Sequence, residues 1–123
     1  MSIGRGGPAN LIDRGDVYYV DLNPVAGSEQ AGRRPAVVVS PRFMNGTNTV
    51  VVIPLTTTIP AGQLPPYKVL LRAGSGLRED SVALCHQIRA VDKTRLDARR
   101  EAQLTEAQLQ ELDAALQHTL GLE

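Results

Sequence analysis

Ala36–Ser40 (AVVVS) and Thr49–Leu55 (TVVVIPL) are the two stretches whose reading decides the architecture. Both are nearly continuous in Val and Ile, side chains that suit a pleated surface. Neither alternates with polar residues, so each has apolar groups on both faces. Strands of that kind belong at the centre of a sheet covered on two sides, or in the wall of a closed barrel. Between them, Met44-Asn45-Gly46-Thr47-Asn48 supplies an Asn-Gly pair at short spacing and predicts a hairpin-like reversal.

Outward from this pair, Asp16–Leu22 (DVYYVDL) puts Val17 and Tyr19 on one face and Tyr18, Val20 and Leu22 on the other, a strand pattern ended by Asn23 and Pro24. A polar loop, Pro24–Arg34 (PVAGSEQAGRR), follows; loops of roughly ten residues in a small domain are often functional. Tyr67–Leu71 (YKVLL) and Ser81–Val91 (SVALCHQIRAV) read as further strands, separated by the turn Ala73-Gly74-Ser75-Gly76. Roughly five short strands with Gly and Pro between them predict a small β-barrel. Near the C-terminus the period changes. Leu109, Leu112, Leu116 and Leu120 recur at helical spacing, and Thr105 with Gln108 forms a capping box. Leu104 and Leu109 fit a hydrophobic staple and Gly121 a stop, so a helix is predicted over about 105–120 with a solvated acidic face. Residues 1–13 lack periodicity and read as a flexible arm, with packing from Gly15 and one domain over 14–123.

The 123 residues fit one domain and leave no room for a second catalytic one. A hydrophobic fraction of 42% and a charged fraction of 21% exclude a disordered or fibrous chain. The apolar runs are far shorter than the roughly 20 residues of a membrane span, and no signal-like segment opens the chain, so a cytoplasmic location is expected. Cys85, the single cysteine, can form neither an internal disulfide nor a zinc site alone and reads as a small core residue.

Thirteen basic and 13 acidic residues give a net charge of zero, which at first argues against a nucleic-acid binder. The distribution says otherwise. Gln30 to Arg78 contains no acid, while Arg33, Arg34, Arg42, Lys68, Arg72 and Arg78 make it +6; Glu101 to Glu123 contains no Lys or Arg and is −5. No P-loop, GxGxxG, CxxC or HExxH is present, so nucleotide hydrolysis, dinucleotide chemistry and zinc catalysis have no support. His86 and His118 would have to converge in space to act as a ribonuclease pair. What remains is Arg33-Arg34-Pro35 beside the buried strands. Pro35 biases Arg34 toward extended backbone and so aims its guanidinium, which can grip a phosphate and stabilise charge developing on it. Thr56, Thr57 and Thr58 follow the Thr49–Leu55 run, where their hydroxyls suit either turn formation or a phosphate oxygen.

The strings Gly15-Asp16-Val17, Val20-Asp21-Leu22, Gly27-Ser28-Glu29-Gln30-Ala31-Gly32-Arg33-Arg34-Pro35, Pro54-Leu55-Thr56-Thr57, Asp80-Ser81-Val82-Ala83-Leu84 and Gln87-Ile88-Arg89 closely resemble the MazF/PemK family of toxins. The resemblance covers residues 15 to about 92 and implies an SH3-like or CcdB-like barrel, mainly β with a C-terminal helix, that forms homodimers. It implies a ribosome-independent, sequence-specific endoribonuclease acting on single-stranded mRNA, paired with an antitoxin whose acidic and apolar C-terminal segment covers the basic groove. On this resemblance Arg34 and Thr56 take the catalytic positions, and Glu29 lies beside the site. Gln87 lines the RNA groove with Gln30, Thr57 and Arg89, and Arg33 contacts phosphate. His86 stands where many relatives carry an acid. RNA supplies its own nucleophile, the 2'-hydroxyl, so the implied products are a 2',3'-cyclic phosphate and a 5'-hydroxyl, without metal or cofactor. A guanidinium holds its proton too firmly to act readily as base, which leaves Glu29 or His86. The alternative is a CcdB-like gyrase poison or an inactive binding module on the same fold.

Overall fold

In the computed structural model, which describes residues 11–74 and 77–122, β1 (Asp16–Asp21), β2 (Arg33–Val38) and β3 (Thr49–Thr56) form an antiparallel meander. β4 (Lys68–Leu71) and β5 (Ser81–Leu84) extend it past β3, β6 (Arg89–Asp92) also pairs with β3, and β7 (Ala102–Gln103) closes the far side against β1. The strands run in the order β4-β5-β3-β2-β1-β7. The fold is mainly β, a half-barrel sheet with one terminal helix, α1 (Glu106–Leu120).

The double-sided burial read from the Val-rich runs has a simple physical form. Odd-numbered residues Val17, Val37, Ile53 and Leu55 join Leu112 and Ala115 of α1 in one apolar cluster. Even-numbered Tyr18, Val20, Ala36, Val38, Val50 and Val52 join Ile12, Val91 and Leu96 in a second. The strand period of two thus splits the chain between two cores. α1 begins at the capping box, with the Thr105 hydroxyl accepting from the Gln108 N–H and the Gln108 side chain accepting from the Thr105 N–H, and ends at Gly121 in the left-handed region, φ 69°.

Backbone groups explain where pairing stops. The Val39 N–H donates to the Val51 carbonyl, so odd residues of β3 direct their backbone toward β2 and even ones toward the opposite edge. Pro54, with no N–H to offer, falls on that opposite edge between the residues paired with β6 and those paired with β5. Pro35 lacks the N–H that would carry the β2–β3 ladder past Ala36 and Pro54, where the recorded pairing ends.

Several expectations are corrected. Ser81–Val91 is not one strand: Cys85–Gln87 is a 3-10 turn between β5 and β6. Leu55 pairs with Ala83 while Val52 pairs with Arg89, so three residues of β3 are matched by six of the other run, and the turn takes up the extra three. β2 begins at Arg33 rather than Ala36, β4 begins one residue later than Tyr67, and β7 carries no apolar signal long enough to detect. Residues 1–10 of the expected arm, and Ser75 and Gly76 of the expected turn, lie outside the described residues. Packing starts before Gly15, since Ile12 is buried in the second cluster and the Asp13 carboxylate pairs with Arg42. Cys85 is buried in the first cluster, where burial pushes its thiol up to about 11. No helix among the described residues is long and apolar enough to cross a membrane.

Leu112 is fully buried at the centre of the helix–sheet contact. Leu112→Ala should cost about 2–5 kcal/mol in urea unfolding, whereas the exposed neighbour change Gln110→Ala should stay within about 0.5 kcal/mol.

Candidate active site

The β2–β3 register places the first two residues of interest. Ala36 faces Pro54, so continuing two residues outward sets Arg34 across from Thr56 on the same face of the sheet, at the point where Pro35 ends the ladder. Thr56 pairs in turn with Val82, and Lys68 with Leu84, which carries the same face across β5 to β4. Arg34, Thr56, Thr58, Lys68 and His86 line one open cavity of about 380 Å³. Gln30, His86 and Gln87 are shared with an adjoining cavity of about 310 Å³, whose wall includes Glu29 and Arg89.

Local hydrogen bonds hold these groups in place. The Arg34 Nε donates to the Ala31 carbonyl at 2.8 Å, leaving the rest of the guanidinium without a partner among the described residues. The Thr56 hydroxyl accepts from the Thr58 N–H at 3.2 Å, a small turn that brings both hydroxyls to the cavity. Across the shared wall, the Gln30 backbone N–H donates to the Gln87 Oε1 at 2.7 Å, tying the β1–β2 loop to the 3-10 turn, while the Gln30 Oε1 is buried without a partner among the described residues. Arg89 donates to the Leu22 carbonyl at 3.1 Å. The Glu29 carboxylate accepts from the Ala26 N–H at 2.9 Å within its own loop.

The structure also resolves the +6 stretch. Arg33 pairs with Asp97, Arg42 with Asp13, Arg72 with Asp80 and Arg78 with Glu101. Such exposed pairs add little stability, but they neutralise four of the six cations. The two without a carboxylate partner among the described residues, Arg34 and Lys68, line the same cavity.

Two expected site residues lie elsewhere. Arg33 is on the opposite face from Arg34, as the strand period demands; its guanidinium stacks 4.4 Å from the Tyr19 ring centroid and forks onto Asp97. Thr57 is exposed and does not line either cavity, because residues 56 and 58, not 57, share the cavity face. Glu29 lines only the adjoining cavity. His118 sits in the last turn of α1 and lines neither cavity. Thr58, one of the three hydroxyls that follow the Thr49–Leu55 run, does line the cavity, and so does Lys68, which the charge count of the acid-free stretch does not single out.

Desolvation first, and the Lys68 charge second, lower the His86 pKa below its ordinary 6.5, so the imidazole is mainly neutral at pH 7. Its ring packs edge-on to Tyr67, with centroids 4.6 Å apart.

A cleft lined by two cations that have no carboxylate partner among the described residues, two hydroxyls and an imidazole offers the groups that can hold a phosphodiester. The family model described as "PemK-like, MazF-like toxin of type II toxin-antitoxin system" matches residues 13–120. The chain is 41% identical over 113 residues to Endoribonuclease MazF of Staphylococcus epidermidis, spanning 91% of this chain and 93% of that protein. The crystal structure of MazF from Deinococcus radiodurans superposes with a TM-score of 0.77 at 32% identity, covering 91% of this chain and 98% of the other. An endoribonuclease from a Mycobacterial species, solved with its cognate antitoxin, superposes at 0.74 with 27% identity over 91% and 97%. The chain belongs to the PemK/MazF toxin family of type II toxin-antitoxin systems.

In an NMR titration, the His86 midpoint should fall below 6.5, and Lys68→Gln should raise it because a repelling charge is removed. A midpoint that does not move in that variant would show that Lys68 does not act on the imidazole.

Proposed function

We propose that this protein is the toxin of such a pair and an endoribonuclease that cuts single-stranded RNA by attack of the 2'-hydroxyl on the adjacent phosphorus, leaving a 2',3'-cyclic phosphate and a 5'-hydroxyl. The observation that carries this reading is the convergence of Arg34 and Lys68, the two cations of the acid-free stretch without a carboxylate partner among the described residues, with Thr56 on one cavity. Arg34 and Lys68 bind the non-bridging phosphate oxygens and stabilise the charge that grows on them, and the Thr56 hydroxyl fixes the phosphate's orientation. The adjoining cavity, with Gln30, Gln87 and Arg89 as polar groups, receives a neighbouring base and supplies sequence preference. The mycobacterial relative, an endoribonuclease in complex with its cognate antitoxin, supports pairing with an antitoxin here. An acidic C-terminal segment of that antitoxin would compete for the same cations, and a homodimer is the proposed assembly, in the cytoplasm. A CcdB-like or purely binding role has no specific observation in its favour.

The deciding experiment incubates the purified protein with a long defined RNA and maps the 5' ends and end-group chemistry of the fragments. Arg34→Ala and Thr56→Ala should each slow cleavage by roughly 10²–10³-fold while retaining the wild-type unfolding midpoint within error. Arg33→Ala, which removes an Asp97 partner on the other face, should cleave within a few-fold of wild type. Full activity in both the Arg34 and Thr56 variants would remove the site assignment.

Antitoxin-peptide affinity should also fall as salt rises, and fall further in Lys68→Ala than in Arg72→Ala, since Arg72 already has Asp80 beside it. Calorimetry at two salt concentrations reads this directly.

A further inference from the structure

Transfer of the 2'-hydroxyl proton needs an acceptor, and the cavity narrows the choice. Arginine and lysine are donors only, the threonine hydroxyls are far too weak as bases, and Gln30 and Gln87 cannot take up a proton at neutral pH. Glu29 lines the adjoining cavity and its carboxylate is already engaged by the Ala26 N–H of its own loop. His86 is on the wall of the cavity that holds Arg34 and Thr56, placed there by the three-residue turn between β5 and β6. It is solvent-exposed, and no hydrogen bond ties its imidazole to another described residue; the Tyr67 ring, edge-on, restricts its orientation from one side.

We propose that His86 is the general base, accepting the 2'-hydroxyl proton as that oxygen attacks phosphorus. This rests on the RNA-cleaving reading of the cavity given above. As the O2'–P bond forms, the O2'–H bond gives its proton to an imidazole nitrogen. The P–O5' bond breaks with its electron pair on O5', which takes a proton from water, and the imidazolium returns its proton to solvent. The charge environment keeps the imidazole ready for this role. Arg34 faces the cavity from β2 and Lys68 from β4, with Tyr67 just before it; Glu29 and Arg89 lie beyond Gln87 in the adjoining cavity. α1 packs against the turn, and its Glu111 lines a further groove together with Lys68 and Arg72. Of these, Lys68 is the group whose charge bears on His86, and it opposes a second positive charge there.

The test is a pH–rate series on the defined RNA for wild type, His86→Gln and His86→Ala, with binding measured separately on the same RNA carrying 2'-O-methyl groups. Wild-type kcat should fall below an apparent pKa lower than 6.5. In His86→Gln, kcat should drop by roughly 10²–10⁴-fold, the acid limb should vanish, and binding of the methylated RNA should stay within about threefold, as expected when only a transition-state interaction is lost. Added imidazole should restore part of the activity of His86→Ala, which a structural role would not permit. His86→Gln activity within threefold of wild type with an unchanged acid limb, or no imidazole rescue in His86→Ala, would overturn the assignment. A wild-type protein that leaves RNA intact, or yields 5'-phosphate ends, would instead overturn the cleavage reading on which it rests.

Discussion

The register between β2 and β3 governs both the core and the site. With Ala36 opposite Pro54, even-numbered residues of both strands point to one face and odd-numbered ones to the other. That single choice sends Val37, Ile53 and Leu55 beneath α1, sends Val38 and Val52 into the second cluster, and leaves Arg34 beside Thr56. A slip of one residue would exchange the faces of every side chain on the slipped strand. Arg34 would then share a face with Leu55 rather than Thr56, and the buried valines would have to trade clusters. The register is therefore protected by a large apolar cost, and the site inherits that protection without needing strong contacts of its own.

Pro35 sets the limit of that ladder beside the cleft. Pro35 and Pro54 both stand where a backbone donor is missing, one on the β2 side facing β3 and the other on the β3 edge between β6 and β5. Past Ala36 and Pro54 the β2–β3 pairing stops, while β1 still pairs β2 to Arg33 and β5 still pairs β3 to Thr56, so Arg34 and Thr56 stay anchored on their outer neighbours. The Gln30–Gln87 hydrogen bond then fastens the long loop to the 3-10 turn, so the walls of the two cavities are joined by a defined contact even though the loop itself has little buried area.

How much of this was legible beforehand varied with the kind of signal. The Val-rich runs reported burial on both faces because alternation was absent, and the terminal helix was readable to within one residue because its caps are chemical rather than statistical: Thr105, Gln108 and Gly121 each do a specific job. The break at Cys85–Gln87 was not readable, because Ser81–Val91 is acceptable as a strand throughout and the turn follows from a register difference between two partners distant in the chain. The resemblance implies RNA contacts for Arg33 and Thr57; Arg33 lies on the face of β2 opposite Arg34, as the strand period dictates, and Thr57 lies one residue past the end of β3. Lys68 was present in the charge count but could be singled out only once the partners of the other cations were known.

The balance of charge acquires a different meaning in three dimensions. A net charge of zero and a local excess of six are both true of the chain, but neither describes the field at the cleft, because carboxylates from distant segments cancel most of the excess where it arises. Asp97, Asp13, Asp80 and Glu101 each lie on an arginine of the acid-free stretch. With Arg34 and Lys68 left from that stretch and Arg89 beside them in the adjoining cavity, attraction to a nucleic-acid backbone is limited: single strands contribute a salt slope of about 0.7 per neutralised phosphate, so these few contacts supply only a weak, salt-sensitive hold. On the proposed function, discrimination among RNA sites must then come from the bases seated beside Gln30, Gln87 and Arg89. Cleavage must come from what is aligned on the single phosphate between Arg34 and Lys68. On that same reading, the pairing of four arginines serves the site, since it leaves the basic segment less charge for indiscriminate RNA binding and sets the remaining charge beside the phosphate to be cleaved.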